Sequence, residues 1–275
     1  MVATPIGNFE DITLRALSVL SGVDMVAAED TRHTGRMLSR YQISSALISY
    51  HDHNETERAP QFIQKLQDGL SIALVSDAGT PSVSDPGYRL ICAAIQAGIR
   101  VIPIPGVSAA IAAISVSGLP TDAFVFLGFP PKKQARRITL LKDIENESRT
   151  LIFYESPKRV LAFLIDALAV LGDRSGVVCR EMTKRYEEFI RGPISEMLTD
   201  LSGRREIKGE CTLVLSGKNR GHPLSAESLE SSVSEYLRHP AEGPGELARK
   251  IALEFGISRK TAYQMILSEK AKSGP

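Results

Sequence analysis

Short apolar runs recur along the first part of the chain at residues 24–28, 46–50, 72–75 and 101–104. The run at 72–75 is apolar throughout instead of alternating, the pattern of a strand buried on both faces of a parallel sheet. Val2 and Ala3 read as the tail of a further, short strand. Between the runs, apolar residues take helical spacing. Asp11 reads as the cap of a helix carrying Leu14, Leu17, Val19 and Leu20, and Thr56 opens one through Phe62, Ile63 and Leu66. Tyr88 begins another with Leu90, Ile91, Ala94 and Ile95, and Ser108 reads as the cap of an alanine-rich helix over 109–117. Strands alternating with helices predict an α/β, doubly wound parallel sheet.

The pattern changes around Gly118-Leu119-Pro120, which sets an expected domain boundary. Strands are predicted at 124–127, 151–154, 177–180, 187–191 and 211–216, with helices running to Glu147 and over 158–171. Several strands in succession indicate a mixed α+β lobe. Residues 217–226, rich in Gly, Ser, Pro and charge, read as a linker. Helical patterns follow at 229–237, 246–255 and 259–267. Leu247-Ala248, Ile251-Ala252, Gly256-Ile257-Ser258 and Tyr263 fit a helix-turn-helix in which the glycine turns the chain and Ser258 caps a basic helix. The expected domains are 1–118, 119–217 and 227–275.

Residues able to do chemistry gather after the predicted strands. Glu29-Asp30-Thr31-Arg32-His33-Thr34 follows the run ending at Ala28, and His51-Asp52-His53-Asn54-Glu55 follows Tyr50. Residues 76–87, S-D-A-G-T-P-S-V-S-D-P-G, follow Val75 with two carboxylates, Asp77 and Asp85, and more Gly and Pro than a minimal connection requires. In open α/β sheets ligands bind at the carboxyl ends of the strands. Neither G-x-G-x-x-G nor G-K-[ST] follows any strand, so the usual cradles for dinucleotides and nucleoside triphosphates are missing. A phosphate-free cofactor fits better. His51-x-His53 could begin a metal site, but only His33 of the other histidines falls nearby, and both read as hydrogen-bonding residues with no metal. Gly106-Val107-Ser108 lacks the closing glycine of a nucleophile elbow.

The 275 residues, 43% hydrophobic and 24% charged, describe a globular chain long enough for two domains. No run approaches the length of a membrane span and no secretory leader pattern opens the chain, so the expectation is cytoplasmic, without a membrane partner. Cys92, Cys179 and Cys211 are far apart in apolar surroundings and read as buried thiols. A net charge of +1 leaves nucleic-acid binding to local patches. Lys132-Lys133, Arg136-Arg137, Lys158-Arg159, Lys184-Arg185 and Arg204-Arg205 concentrate such charge in the second lobe.

The segments at 2–8 (V-A-T-P-I-G-N), 27–34, 76–87, 153–157 (F-Y-E-S-P) and 180–184 (R-E-M-T-K) together closely resemble the tetrapyrrole methylase superfamily, and in it the bacterial enzymes that methylate a cytidine 2′-hydroxyl of 16S ribosomal RNA near the decoding centre. The likeness covers nearly the whole chain. It implies a two-lobed class III methyltransferase fold, a homodimer, and S-adenosylmethionine held between the lobes. Carried over by motif, the cofactor contacts are Pro5, Asp77, Ala78, Gly79, Ser82, Val83, Ser108, Ala109, Tyr154, Thr183, Gly209 and Glu210. The implied partner is 16S rRNA or the small ribosomal subunit.

Methyl transfer to a ribose hydroxyl needs oxygen, methyl and sulfur in line and one proton acceptor. Glu29 and Asp30 are the candidate bases, with His51, His53 and Lys184 as alternatives, and Arg32 holds a phosphate or orients the carboxylate. Two other readings remain open: a relative acting on a small molecule or protein, and a ligand-sensing regulator with a DNA-binding helix-turn-helix. The polar clusters after Ala28 and Tyr50 favour an enzyme.

Overall fold

Strands β1 (Met25–Ala28), β2 (Ala46–Ser49) and β3 (Ile72–Val75) form a parallel sheet of order β2-β1-β3 in the computed structural model, which describes residues 1–218, 243–255 and 259–272. Ala28 pairs with Ser49 on one side and Val75 on the other, so the three strands end level. The polar segments that follow them are thereby brought to one edge. β1 and most of β3 are buried, as expected of inner strands.

The two outer strands expected at residues 2–3 and 101–104 are each reduced to a single bridge, Val2 to Ile104. The backbone still continues the sheet. Val2 N donates to Leu74 O at 2.9 Å, Ile104 N to Met1 O at 2.8 Å and Ala3 N to Ile104 O at 3.2 Å. Prolines explain the short pairing, since Pro5, Pro103 and Pro105 lack the N–H that a longer ladder needs.

Helices α1 (Leu14–Gly22), α2 (Thr31–Arg40), α3 (Glu55–Gln67), α4 (Tyr88–Gln96) and α5 (Ala109–Ser115) connect these strands. Two caps differ from expectation. Thr13, whose side chain accepts from Ala16 N, caps α1, because residues 9–11 form a separate 3-10 turn that leaves Asp11 outside the helix. Ser108 holds the cap position of α5 through its backbone oxygen, which accepts from Ala112 N, and its side chain makes no cap bond.

A second sheet has the order β4-β5-β8-β6-β7: β4 (Phe124–Phe126), β5 (Thr150–Glu155), β8 (Cys211–Leu215), β6 (Ser175–Arg180) and β7 (Glu188–Pro193). Only β4 and β5 run parallel. Alternate residues of β5 separate two cores. Leu151 and Phe153 pack with Phe163 and Leu164 of α7 (Val160–Leu171), whereas Ile152 and Tyr154 face Ile6, Ala110 and Ile114 of the first part. Fully burying each of these side chains contributes roughly 1.5–3 kcal/mol. α6 (Gln134–Asp143) and α8 (Ile194–Ser202) complete the outer layer.

Arg137, expected on a basic surface, is buried in α6. Its guanidinium meets the equally buried Asp166 of α7 at 2.6 Å, and Gln134 donates to the other carboxylate oxygen at 2.8 Å. Where residues 4–8 meet the second sheet, Asn8 N donates to Thr183 Oγ1 at 3.0 Å and Gly7 lies against Lys184.

Helices α9 (Pro244–Phe255) and α10 (Arg259–Lys272) pack together, burying Leu247, Ala248, Ile251, Ala262 and Ile266. The expected helix at 229–237, the turn at Gly256-Ile257-Ser258 and most of the linker lie outside the described residues. No helix among the described residues is long and apolar enough to cross a membrane.

Candidate active site

A cavity of about 350 Å³ opens between the two sheets, within the range typical of small-molecule sites. From the first part it is lined by Ile6, Glu29, Asp77, Ala78, Gly79, Thr80, Val83, Asp85, Ser108 and Ala109. From the second come Phe129, Tyr154, Glu155, Ser156, Pro157, Glu210, Cys211 and Thr212. The structure therefore brings together Asp77, Ala78, Gly79, Val83, Ser108, Ala109, Tyr154 and Glu210 of the expected cofactor set, with Glu29 beside them. Pro5, Ser82, Thr183 and Gly209 are outside the wall. Pro5 is buried behind Ile6, Ser82 turns the loop with φ 67°, Thr183 is taken up by Asn8, and Gly209 packs against Glu181.

The loop at 76–87 is fixed from several sides. Thr4 and Gly79 exchange backbone hydrogen bonds of 2.8 and 3.0 Å, Thr4 Oγ1 donates to Ser76 O at 3.1 Å, and Thr80 Oγ1 donates to Val107 O at 3.2 Å. Across the cavity, Ala110 N donates to Tyr154 Oη at 3.1 Å, and the Tyr154 ring meets Phe126 and Phe129 edge-on. The hydroxyl of Tyr154, a residue that the resemblance carries into the cofactor set, thus ties the second sheet to the start of α5.

The carboxylates behind β1 have separate settings. Asp30 caps α2, accepting from Arg32 N at 2.8 Å, and forms an ion pair with the Arg32 guanidinium at 2.8 Å. Those bonds hold its carboxyl well below the usual range, and neither residue lines the cavity. Glu29 does, and burial raises its pKa. Asp77 N donates to Glu29 Oε2 at 3.4 Å, and Asp30 N donates to Asp77 Oδ1 at 3.0 Å, so each carboxylate steadies the neighbouring strand end. Asp85 is pushed up to about 6, first by burial and then by the nearby charges of Glu29, Asp77 and Asp52, against a hydrogen bond from Ser76.

None of the alternative bases is among the described residues of the wall, and Nδ1 of His51 is buried with no hydrogen-bond partner among the described residues. Lys184 Nζ bridges Glu181 at 2.9 Å and Glu210 at 3.0 Å. His51 Nε2 lies 3.3 Å from Asn54 Nδ2, and its ring packs edge-on to His53. Among the described residues no group of three His, Cys, Asp or Glu side chains is placed to hold a metal.

Sequence reasoning did not assign Glu155, Ser156, Pro157, Phe129 or Asp85 to the site. The F-Y-E-S-P segment was visible, but only Tyr154 was taken from it. Glu155 is fully buried: Oε1 accepts from Ser156 N and Arg159 Nε, both at 2.7 Å, and Oε2 has no hydrogen-bond partner. Among the described residues the wall thus carries five carboxylates, Glu29, Asp77, Asp85, Glu155 and Glu210, and no Lys, Arg or His. Exposed Lys132, Lys133 and Lys158 follow the wall residues Phe129 and Pro157 in the chain, outside the cavity.

This is the architecture of a methylase. Residues 1–198 match the model of the tetrapyrrole (corrin/porphyrin) methylases. The uroporphyrin-III C-methyltransferase of Thermus thermophilus, solved with S-adenyl homocysteine, shares the fold with a TM-score of 0.54 at 18% identity, over 78% of this chain and 95% of that one. Ribosomal RNA small subunit methyltransferase I of Escherichia coli O157:H7 is 46% identical over 273 residues, covering 98% of this chain and 94% of that protein. The same-named protein of Micromonospora olivasterospora is 43% identical over 277 residues, covering 100% and 88%. The chain belongs to the tetrapyrrole methylase family and, within it, to the ribosomal RNA small subunit methyltransferase I group.

Proposed function

We propose that the protein transfers a methyl group from S-adenosylmethionine to the ribose 2′-hydroxyl of a cytidine in 16S ribosomal RNA, acting as a homodimer on the RNA or the small subunit. The observation that carries this reading is the cavity wall, which among the described residues holds five carboxylates and no cationic side chain, set beside exposed lysines. Glu155 and Glu210 are paired from outside the wall with Arg159 and Lys184, which leaves Glu29, Asp77 and Asp85 to disfavour phosphates and favour a compact cation. The residues fit the cofactor on those grounds, and on the apolar walls of Ile6, Val83, Ala109 and Phe129 beside it. When bound, S-adenosylmethionine supplies an electrophilic methyl on a positively charged sulfur.

The chain's own residues supply the rest. The backbone of 77–80 and of Ser108 and Ala109 forms one wall, and Tyr154 and residues 155–157 and 210–212 form the other. Holding the reacting groups in line can contribute about 7–11 kcal/mol in the best cases. Lys132, Lys133 and Lys158 keep the phosphates of the RNA outside the acidic cavity while the ribose enters. A carboxylate of the cavity wall accepts the hydroxyl proton; of the pair expected from sequence, Glu29 lines that wall and Asp30 does not. Asp30, tied to Arg32, positions the start of α2.

The test is transfer of labelled methyl from S-adenosylmethionine to small-subunit particles and to naked 16S RNA. Label on the 2′-oxygen of one cytidine, lost when that nucleotide is 2′-deoxy, is the expected result. Label on a base, or on a porphyrinoid or protein in place of RNA, overturns the reading.

A further inference from the structure

Three carboxylates of the first part line the cavity, and their surroundings divide the work between them. Glu29 and Asp77 each accept a backbone N–H, from Asp77 and Asp30, so both are committed to joining β1 to β3. Among the described residues Asp85 has no such bond, and the hydroxyl of nearby Ser76 donates to Ala78 O at 3.3 Å.

The chain around Asp85 is held in costly conformations. Ser82 and Ser84 have φ of 67° and 65°, in the left-handed region that non-glycine residues seldom occupy. Each such residue costs on the order of 1–3 kcal/mol and persists only where the surroundings impose it. Gly87 closes the loop with φ 136°, and a Cβ there would be strained and would stand 2.8 Å from Leu74 Cδ2, so a side chain would have to displace Leu74 at the end of β3. Strain on both sides of Val83 and immediately before Asp85 sets that carboxylate in the wall, with the sheet-end carboxylates behind it and Tyr154 near enough across the cavity to feel its charge.

Building on the methyl-transfer reading above, we propose that Asp85 is the proton acceptor. Its carboxylate takes the 2′-hydroxyl proton as the O–CH₃ bond forms and the CH₃–S bond breaks, the electron pair of that bond remaining on sulfur as the thioether. Glu29, Asp77 and Asp52 act on it electrostatically, and together with burial they make it a better base than an exposed aspartate. Aspartate at about 6 is largely ionised at neutral pH and close enough to it for efficient proton transfer. The sequence shows Asp85 only as one of two carboxylates in a turn-rich loop, and the resemblance carries Asp77 alone into the cofactor set.

The experiment compares wild type, Asp85→Asn, Asp85→Glu and Glu29→Gln in single-turnover methylation of small-subunit particles. S-adenosylmethionine binding is followed by calorimetry, and titration of the carboxyls in the free protein by NMR. The expected result is a rate lowered by roughly 10²- to 10⁴-fold in Asp85→Asn, with an unchanged melting temperature as the sign of an intact fold, a cofactor affinity reduced far less than the rate because the wall has lost one of its charges, and partial rescue by Asp85→Glu. The wild-type rate should rise with pH through about 6 and level off, following the NMR titration of Asp85, and this limb should vanish in Asp85→Asn. A rate within about fivefold of wild type, or a limb that persists in Asp85→Asn and vanishes in Glu29→Gln, overturns the assignment while leaving the methyl-transfer reading intact. Absence of 2′-O-methylation by wild type overturns both.

Discussion

Replacing Asp166 by alanine removes the counter-charge of Arg137 at a place where water cannot substitute for it. Both side chains are 5% exposed, and the guanidinium meets the carboxylate through Nε at 2.7 Å and Nη2 at 2.6 Å. What remains to Arg137 is Nη1, bonded to the carbonyls of Pro131 and Lys132 at 3.4 and 3.3 Å. Breaking a buried pair from one side typically costs about 3–5 kcal/mol, because the orphaned charge stays buried. For a protein of this size that corresponds to a fall in Tm of roughly 6–20 °C, at about 2–4 °C per kcal/mol. Urea unfolding followed by circular dichroism should show a midpoint lowered by about 1–2 M if m is near 3 kcal/mol/M. Replacing both residues by methionine should restore most of the loss, since a buried ion pair is often no more stable than an apolar isostere. The same bonds hold the turn that leads from Phe129 to Lys132 and Lys133, so Asp166→Ala should also raise the KM for RNA more than that for the cofactor. A loss below about 1 kcal/mol in Asp166→Ala, or a double variant as unstable as the single one, would refute this account of the pair.

Gly7→Ala places a methyl 2.8 Å from Thr183 Oγ1 and in conflict with Lys184. It should loosen the Asn8–Thr183 contact and weaken S-adenosylmethionine binding by roughly tenfold, corresponding to about 1.4 kcal/mol, as read by calorimetry; unchanged affinity would show that this contact does not set the cavity's shape. Glu188, bonded to Arg180 at 2.8 Å and to Arg204 at 2.7 Å, is held down to about 2. Because its folded-state pKa is depressed, its contribution is complete above the unfolded value of about 4.3 and disappears as pH falls toward 2. Glu188→Gln should therefore lower stability by about 1 kcal/mol at pH 7, a figure kept small by its partial exposure, and make progressively less difference in acid; equal loss at both pH values contradicts the charge-based explanation.

Much of the first sheet was legible because β1 and β3, short and apolar throughout, leave no choice of exposed face, and the same runs located the polar strand ends. The sequence pattern could not show that Val2 and Ile104 meet in one bridge, since prolines limit the pairing on both sides. α2 was hidden because T-R-H-T-G-R-M-L-S-R carries only two large apolar residues, so its start at the Asp30 cap is recognisable only when the chain is seen to turn there. For the same reason Asp30 and Glu29, neighbours in sequence, look alike as candidate bases, whereas in space one caps a helix and the other lines the cavity. Arg137 misled because a basic pair resembles a solvated face, and its partner lies 29 residues away on α7.

The bridge between Val2 and Ile104 also sets an order of events during synthesis. Residues 2–4 lie between β3 and residue 104 and hold Gly79 in the loop at 76–87, so these early residues stay without their outer partner until Ile104 has been made. At about 5–20 residues per second that interval is on the order of 5–20 s. Throughout it one margin of the nascent sheet is open to wrong pairing. A slow codon cluster or a chaperone acting before residue 104 emerges should alter the yield of folded protein more than the same intervention after it. The loop at 76–87 is thus among the last parts of the first sheet to acquire its final shape.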